Sequence, residues 1–178
     1  MTIRSFLGAT PAVDTTAYVD ETAVLLGDVA LGEHSSVWPL CVIRGDVNRI
    51  SIGMRTNIQD GSIIHVTHRH AEHPSGHATC IGSEVTVGHR VVLHGCKIED
   101  QCLIGMGSIV MDGALVRSRV LLGAGSLVPE GHELEGGYLW LGTPARRVRS
   151  LTASELAWIG YSADHYVRLK DQHRAGPG

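Results

Sequence analysis

An aliphatic residue returns at every sixth position through most of this 178-residue chain. Val13, Val19, Leu25, Leu31, Val37 and Ile43 open the series, and Ile52, Ile58 and Ile64 follow after a step of nine. Beyond an insertion come Ile81, Val87 and Leu93, then, after a step of five, Ile98, Ile104, Val110, Val116, Leu122 and Val128. A period of six cannot stay on one face of a 3.6-residue helix. It does suit a short strand plus a corner, with one apolar side chain per strand turned inward. Short fixed-period repeats mark solenoids, and hexapeptide repeats mark a parallel β-helix. Three strands close one triangular coil, so the repeats predict an all-β prism of about six coils over roughly 11–133. A small residue often stands four places after the aliphatic one, as in Ala23, Ser35, Cys41, Ser62, Cys102, Ser108, Ala114 and Ser126, which marks the corners.

Composition agrees with a narrow core. Aromatics make up 4% of the chain while Gly occurs 22 times. The formal charge of −3 includes no basic stripe, so nucleic acid is not an expected partner. No apolar run reaches the roughly 18 residues of a membrane span, and Met1–Pro11 lacks the apolar segment of a signal peptide. A cytoplasmic protein that contacts no membrane is expected. Cys41, Cys80, Cys96 and Cys102 form no CxxC, and reduced, buried thiols are the expectation.

Two interruptions break the ladder. Arg49-Ile50-Ser51 adds three residues before Ile52, which predicts a small bulge. The larger insertion, 66–80, is polar and carries His68, His70, His73 and His77 among the chain's 11 His. Inserted loops of this length in a compact repeat are commonly functional or disordered. The β-helix domain is expected to occupy 1–151. Thr152 and Glu155 then form a capping box that predicts a helix over about 153–172. Leu156, Ile159, Ala163, Tyr166 and Leu169 or Lys170 form its apolar side, which should pack on the prism or on a neighbouring subunit. The end of this 152–178 segment, Gly176-Pro177-Gly178, should fray.

Numbering walls by hexad order, Ile43, Ile64 and Leu93 all begin strands of the third wall. Arg44, His65 and His94 follow them and should stack in one column. Strands lie about 4.7–4.9 Å apart, so two imidazoles of that column can reach one ion at about 2.0–2.1 Å each. His89 belongs to the second wall, where Asp60 and Gln59 lie one step away. Side chains on two walls of a convex prism diverge, so His89 should serve the ion of a neighbouring chain. A cyclic homotrimer with three interfacial metal sites is the expected assembly. Three neutral imidazoles and one open position make a hydrolytic or hydration site.

The text Ile52-Gly53-Met54-Arg55-Thr56-Asn57-Ile58-Gln59-Asp60-Gly61 running to His65, then Val87-Gly88-His89 to His94-Gly95, and Val42-Ile43-Arg44-Gly45-Asp46, resembles the γ-class carbonic anhydrase-like proteins. The likeness covers nearly the whole chain. Gly137-Tyr138-Leu139 and Tyr161–Val167 look like the bacterial YrdA-type branch, which adds Tyr138 to the candidate catalytic residues. The resemblance implies a left-handed β-helix and a homotrimer with the ion between subunits. His65 and His94 would be ligands from one chain and His89 from the next. Arg44 and Asp46 would pair across the subunit contact, and Gln59, with Asp60, would orient the metal-bound water. The implied reaction is that of a lyase, reversible hydration of CO2 to bicarbonate by metal-bound hydroxide. Zn2+ is the implied ion, and imidazole donors also suit Fe2+ or Co2+.

The chain departs from the family prototype where acidic residues pass the proton to buffer. Val47 stands after Asp46 in place of a Glu, and the insertion offers only Glu72. A loop histidine, with an ordinary pKa of about 6.5, suits that relay instead. Two other functions fit a hexapeptide-repeat chain. One is acyl-CoA transfer or thioester hydrolysis, which needs a single His base. The other is a metal-binding assembly subunit with vestigial catalysis.

Overall fold

The computed structural model describes residues 2–176. The chain winds as a left-handed parallel β-helix closed by one C-terminal helix. Each wall carries seven parallel strands among the described residues, and the second wall gains an eighth, antiparallel one, Ala145–Ser150. The prism is therefore taller than the expected six coils. Thr2–Arg4 adds a strand above the first repeat by pairing with Val24–Leu31. Below Val128, Glu133–Leu134 and Tyr138–Gly142 extend the walls, with Leu134 buried at the next six-residue step and Trp140 partly buried at the one after it. The first and third walls are continuous because Val24–Leu31 and Val42–Ile52 bend round their shared corner.

The predicted inward ladder forms the core. Leu25, Ile43, Ile64, Leu93, Val110 and Val128 of the third wall are each 0% exposed. Burying one such side chain contributes about 1.5–3 kcal/mol. The small corner residues are buried too, and their hydroxyls serve the backbone. Ser35 Oγ donates to the Gly53 carbonyl at 2.6 Å and Ser62 Oγ to that of Gly88 at 3.0 Å. These bonds satisfy carbonyls that the tight corner turns away from the strand ladder.

Each corner also needs a residue in the left-handed region. Where the first wall turns into the second, the chain uses His34, Arg55, Glu84, Gln101 and Arg119, with φ between 55° and 61°. Their side chains form a ladder along that edge. Arg119 Nε donates to Gln101 Oε1 at 3.1 Å, Gln101 Nε2 to Glu84 Oε2 at 2.9 Å, and Arg55 Nε lies 3.4 Å from Glu84 Oε1. Arg55 also pairs with Asp164 of the helix. The opposite corner, from third wall to first, uses Gly27, Gly95, Gly113 and Gly131 instead.

The helix spans Ala153–Ala175, with the expected Thr152–Glu155 capping box. Arg149 and the Thr152 backbone and hydroxyl hold the Glu155 carboxyl down at about 2. Its buried face keeps Ile159, Ala163 and Lys170 of the stripe read from sequence, adds Ser162 and loses Leu156. Ile159, Ser162, Ala163 and Lys170 are buried, whereas Leu156 is 40% exposed. A polar contact adds Ser162 to that face, because its Oγ meets Thr86 Oγ1 of the second wall at 2.9 Å. Gly176 closes the helix with its N–H on the His173 carbonyl, and the rest of the segment expected to fray, 177–178, lies outside the described residues. No helix among the described residues is long and apolar enough to cross a membrane.

The bulge lies slightly earlier than expected. Gly27 pairs with Gly45 and Val29 with Ile50, so Asp46–Arg49 stands opposite Asp28 alone. The insertion forms a hairpin closed by a Thr67–His77 bridge. Three thiols are buried as expected, and burial pushes Cys41 up to about 11 and Cys96 and Cys102 to about 12. Cys80 is exposed, because its strand position points outward between the inward-facing Thr79 and Ile81.

Ile64→Ala should cost about 2–5 kcal/mol, since neighbouring coils cannot collapse onto the vacated site. Urea unfolding at fixed protein concentration reads this as a lower midpoint with an unchanged slope. Thr152→Ala should cost about 1 kcal/mol through the lost cap. Circular dichroism near 222 nm should show the helix melting earlier, with the strand signal held.

Candidate metal centre

The third wall delivers the predicted column. His94 pairs in register with His65, as Leu93 does with Ile64 and Ile64 with Ile43. The facing nitrogens, His65 Nδ1 and His94 Nε2, are 3.1 Å apart. Two nitrogens bound to one tetrahedral ion at about 2.0–2.1 Å each stand about 3.3 Å apart, so the pair already has nearly the spacing of shared ligands.

A carboxylate holds the other nitrogen of each imidazole. His65 Nε2 lies 3.1 Å from Asp46 Oδ1, and His94 Nδ1 lies 2.5 Å from Asp112 Oδ1. On the second wall, His89 Nδ1 lies 2.8 Å from Asp60 Oδ2. A carboxylate accepts, so an imidazole in its neutral form donates from that nitrogen and keeps a lone pair on the other. This carboxylate–histidine pairing fixes ring and tautomer for metal binding. The His65 and His94 lone pairs then face one another, an arrangement that calls for a cation between them.

The electrostatics favour the same protonation states. Burial pushes the His65 pKa below its ordinary value despite Asp46, so the ring is neutral near pH 7. Burial works to raise the Asp46 carboxyl, but hydrogen bonds from Arg44 and His65 outweigh it and hold the group low. At Asp112, burial is likewise overcome by Thr67 and His94. Gly95 makes room for this contact: at φ +55° its Cβ would lie 2.3 Å from Asp112 Oδ1.

The remaining candidates fall into three groups. Arg44 Nη1 donates to Asp46 Oδ2 at 2.6 Å within one chain, where pairing across a subunit contact was implied. They stand two apart on one strand, so both side chains leave the same face. Gln59, 6% exposed, lies near His89 and donates to Asn57 Oδ1 at 3.1 Å, which continues a polar chain through Thr86 to Ser162. Asp60 is engaged as the partner of His89. Tyr138 is not brought to the histidines of its own chain. It sits three strands below His89's level on the second wall, with the Arg147 guanidinium 4.8 Å over its ring.

Asp112 is the functional residue that sequence reading missed. Its signal was its place one coil below His94, two residues after the ladder residue Val110. Among the described residues, no three His, Cys, Asp or Glu side chains of one chain converge as a metal site. His89 stands at the corner between second and third walls, at the far end of the Val92–His94 strand from His94. A groove of about 570 Å³ runs beside it, between the second wall and the helix, floored by Leu103, Met106 and Leu121.

No family model matches the chain. It is 50% identical over 171 residues to protein YrdA of Escherichia coli, covering 96% of this chain and 93% of that one. It is 43% identical over 176 residues to the mitochondrial gamma carbonic anhydrase 1 of Arabidopsis thaliana, covering 98% of this chain and 63% of the plant protein. The crystal structure of a hexapeptide transferase family protein from Anaplasma phagocytophilum superposes with a TM-score of 0.89 at 38% identity, covering 96% of this chain and 97% of that one. Sequence, coil geometry and the paired histidine column agree, and the chain belongs to the γ-carbonic-anhydrase-like hexapeptide-repeat family.

Proposed function

We propose that this chain is a metal-dependent carbonic anhydrase-like lyase that interconverts CO2 and bicarbonate between subunits of a homotrimer. The observation that carries the reading is the set of three imidazoles, each with one nitrogen held by a carboxylate, and with the second nitrogens of His65 and His94 turned toward one another. A site with one general base needs no such set. His65 and His94 form one half of the ligand set, and His89 of a neighbouring chain completes it. Zn2+ is the first choice of ion, with Fe2+ or Co2+ as alternatives for the same donors. When bound, the ion acidifies water toward a pKa of about 7 and so supplies a nucleophile at neutral pH.

The chain's own residues bind, orient and exclude. Asp46, Asp60 and Asp112 fix the three rings, so little reorganisation is needed at the moment of reaction. Gln59, held by Asn57 on a buried polar chain, is placed to orient the reacting water. The apolar groove beside His89 accepts a small neutral molecule better than an ion. Bicarbonate and the proton released with it would both leave to solvent.

Acyl transfer is the second reading, favoured by the name of the structural relative from Anaplasma phagocytophilum. Stoichiometric metal with no acyl-CoA binding would set it aside.

His65→Ala and His89→Ala should each abolish most metal binding. Trimers mixed from the two variants should regain part of it, read by elemental analysis after desalting, because one of their mixed interfaces carries an intact ligand set. If mixing restores none, the shared site is wrong. Asp112→Asn should lower metal affinity about 10- to 100-fold by releasing His94. Competition with a chromogenic chelator measures this, and unchanged affinity would remove Asp112 from the site.

A further inference from the structure

The hairpin between Val66 and Thr79 carries a second cluster of imidazoles. Ring centres are 5.4 Å apart for His68 and His70, 5.1 Å for His70 and His73, and 5.0 Å for His73 and His77. We propose that His70, His73 and His77 form a second metal site, which takes a borderline divalent ion such as Zn2+, Co2+ or Ni2+.

The spacing is the first argument. A ring nitrogen binds such an ion at about 2.0–2.1 Å, which puts the ring centre about 3.2 Å from the ion, so two imidazoles on a tetrahedral ion have centres about 5 Å apart. His73 stands at that distance from both His70 and His77. Among the described residues no three donors already share a point, so capture requires His70 and His77 to swing toward His73. Rotamer changes of side chains on an open loop take nanoseconds or less.

The backbone is the second argument. The hairpin is folded, which lowers the entropy cost of binding. His70 and His73 exchange backbone hydrogen bonds, both at 3.1 Å, and the Gly76 N–H donates to the His73 carbonyl at 2.9 Å. Asn48 Nδ2, from the bulge, donates to the Thr67 and Ser75 carbonyls at 3.0 and 2.9 Å. His70, His73 and His77 thus line a fixed cleft of about 380 Å³, with Asp112 and Glu130 on its far side.

The donor chemistry selects the ion. Imidazoles outnumber carboxylates, which disfavours Mg2+ and Ca2+ and favours transition ions. The two carboxylates make the cleft attractive to cations, and Glu130 is at hand as a further donor. Asp112 separates this site from the His65–His94 pair, since its two oxygens are taken by His94 and by Thr67 Oγ1 at 2.5 Å each.

Co2+ titration of the metal-free full-length protein tests the assignment, with visible absorption and elemental analysis after desalting as readouts. The native chain is expected to take up two Co2+, and H70A/H73A/H77A one. H65A/H94A is expected to retain the loop's single ion, with the intense bands of tetrahedral cobalt. A native chain that saturates at one ion, lost entirely in H65A/H94A, overturns the proposal, as does a loop variant with native stoichiometry. If the native chain and H65A/H94A each take one ion and the loop variant none, the loop site stands and the interfacial centre falls.

Discussion

Coil stacks on coil in strict register, and the rest of the molecule follows from that constraint. One aliphatic side chain per strand fills the core, so a slip of one residue would expel the whole ladder to solvent. Positions at the same offset are therefore forced into columns at the strand spacing. A column places two imidazoles close enough to share an ion without any loop to aim them. On the proposed function, rigid repeat geometry would do here what a catalytic loop does in other folds.

The same geometry makes the centre incomplete in one chain. Walls of a convex prism face outward in different directions, and the corner that carries His89 lies across the third wall from His65 and His94. Within the chain each ring is nevertheless prepared: carboxylates set the tautomers, and burial keeps His65 neutral. In the proposed assembly a neighbour would have only to present one oriented imidazole. The departure from the acidic prototype is unchanged by the structure. The loop imidazoles line a cleft that shares Asp112 with His94, on the nitrogen turned away from His65.

Periodicity carried the fold and the His65–His94 column because both obey one offset rule. The rule was stopped too early at the lower end. Leu134 and Trp140 keep the six-residue step after Val128 and pair with Val116 and Leu122, but Trp140 is no aliphatic, and Ile3 joins Leu25 only across the irregular stretch before Val13, so the coils they add were not counted. Asp112 was missed for a related reason: its role comes from the coil below, a contact 18 residues away in sequence. The helix was legible from its cap, and Ile159, Ala163 and Lys170 from its stripe, but Ser162 was not, since it is drawn in by a hydroxyl on the wall rather than by hydrophobicity. Tyr138 entered through local text alone, and its position depends on how many strands separate it from His89.

The edge where the first wall meets the second has a cost of its own. Arg55, Glu84, Gln101 and Arg119 sit in a backbone region that disfavours side chains by about 1–2 kcal/mol each, where the opposite edge simply uses glycine. What they add is a zip: clasped tips run down the outside of the prism, and the uppermost clasp reaches the helix through Arg55 and Asp164. Relaxing any tooth to glycine would ease the turn and open the fastener in the same stroke. Evolutionary drift along this seam is thereby tied to the seating of the helix it fastens.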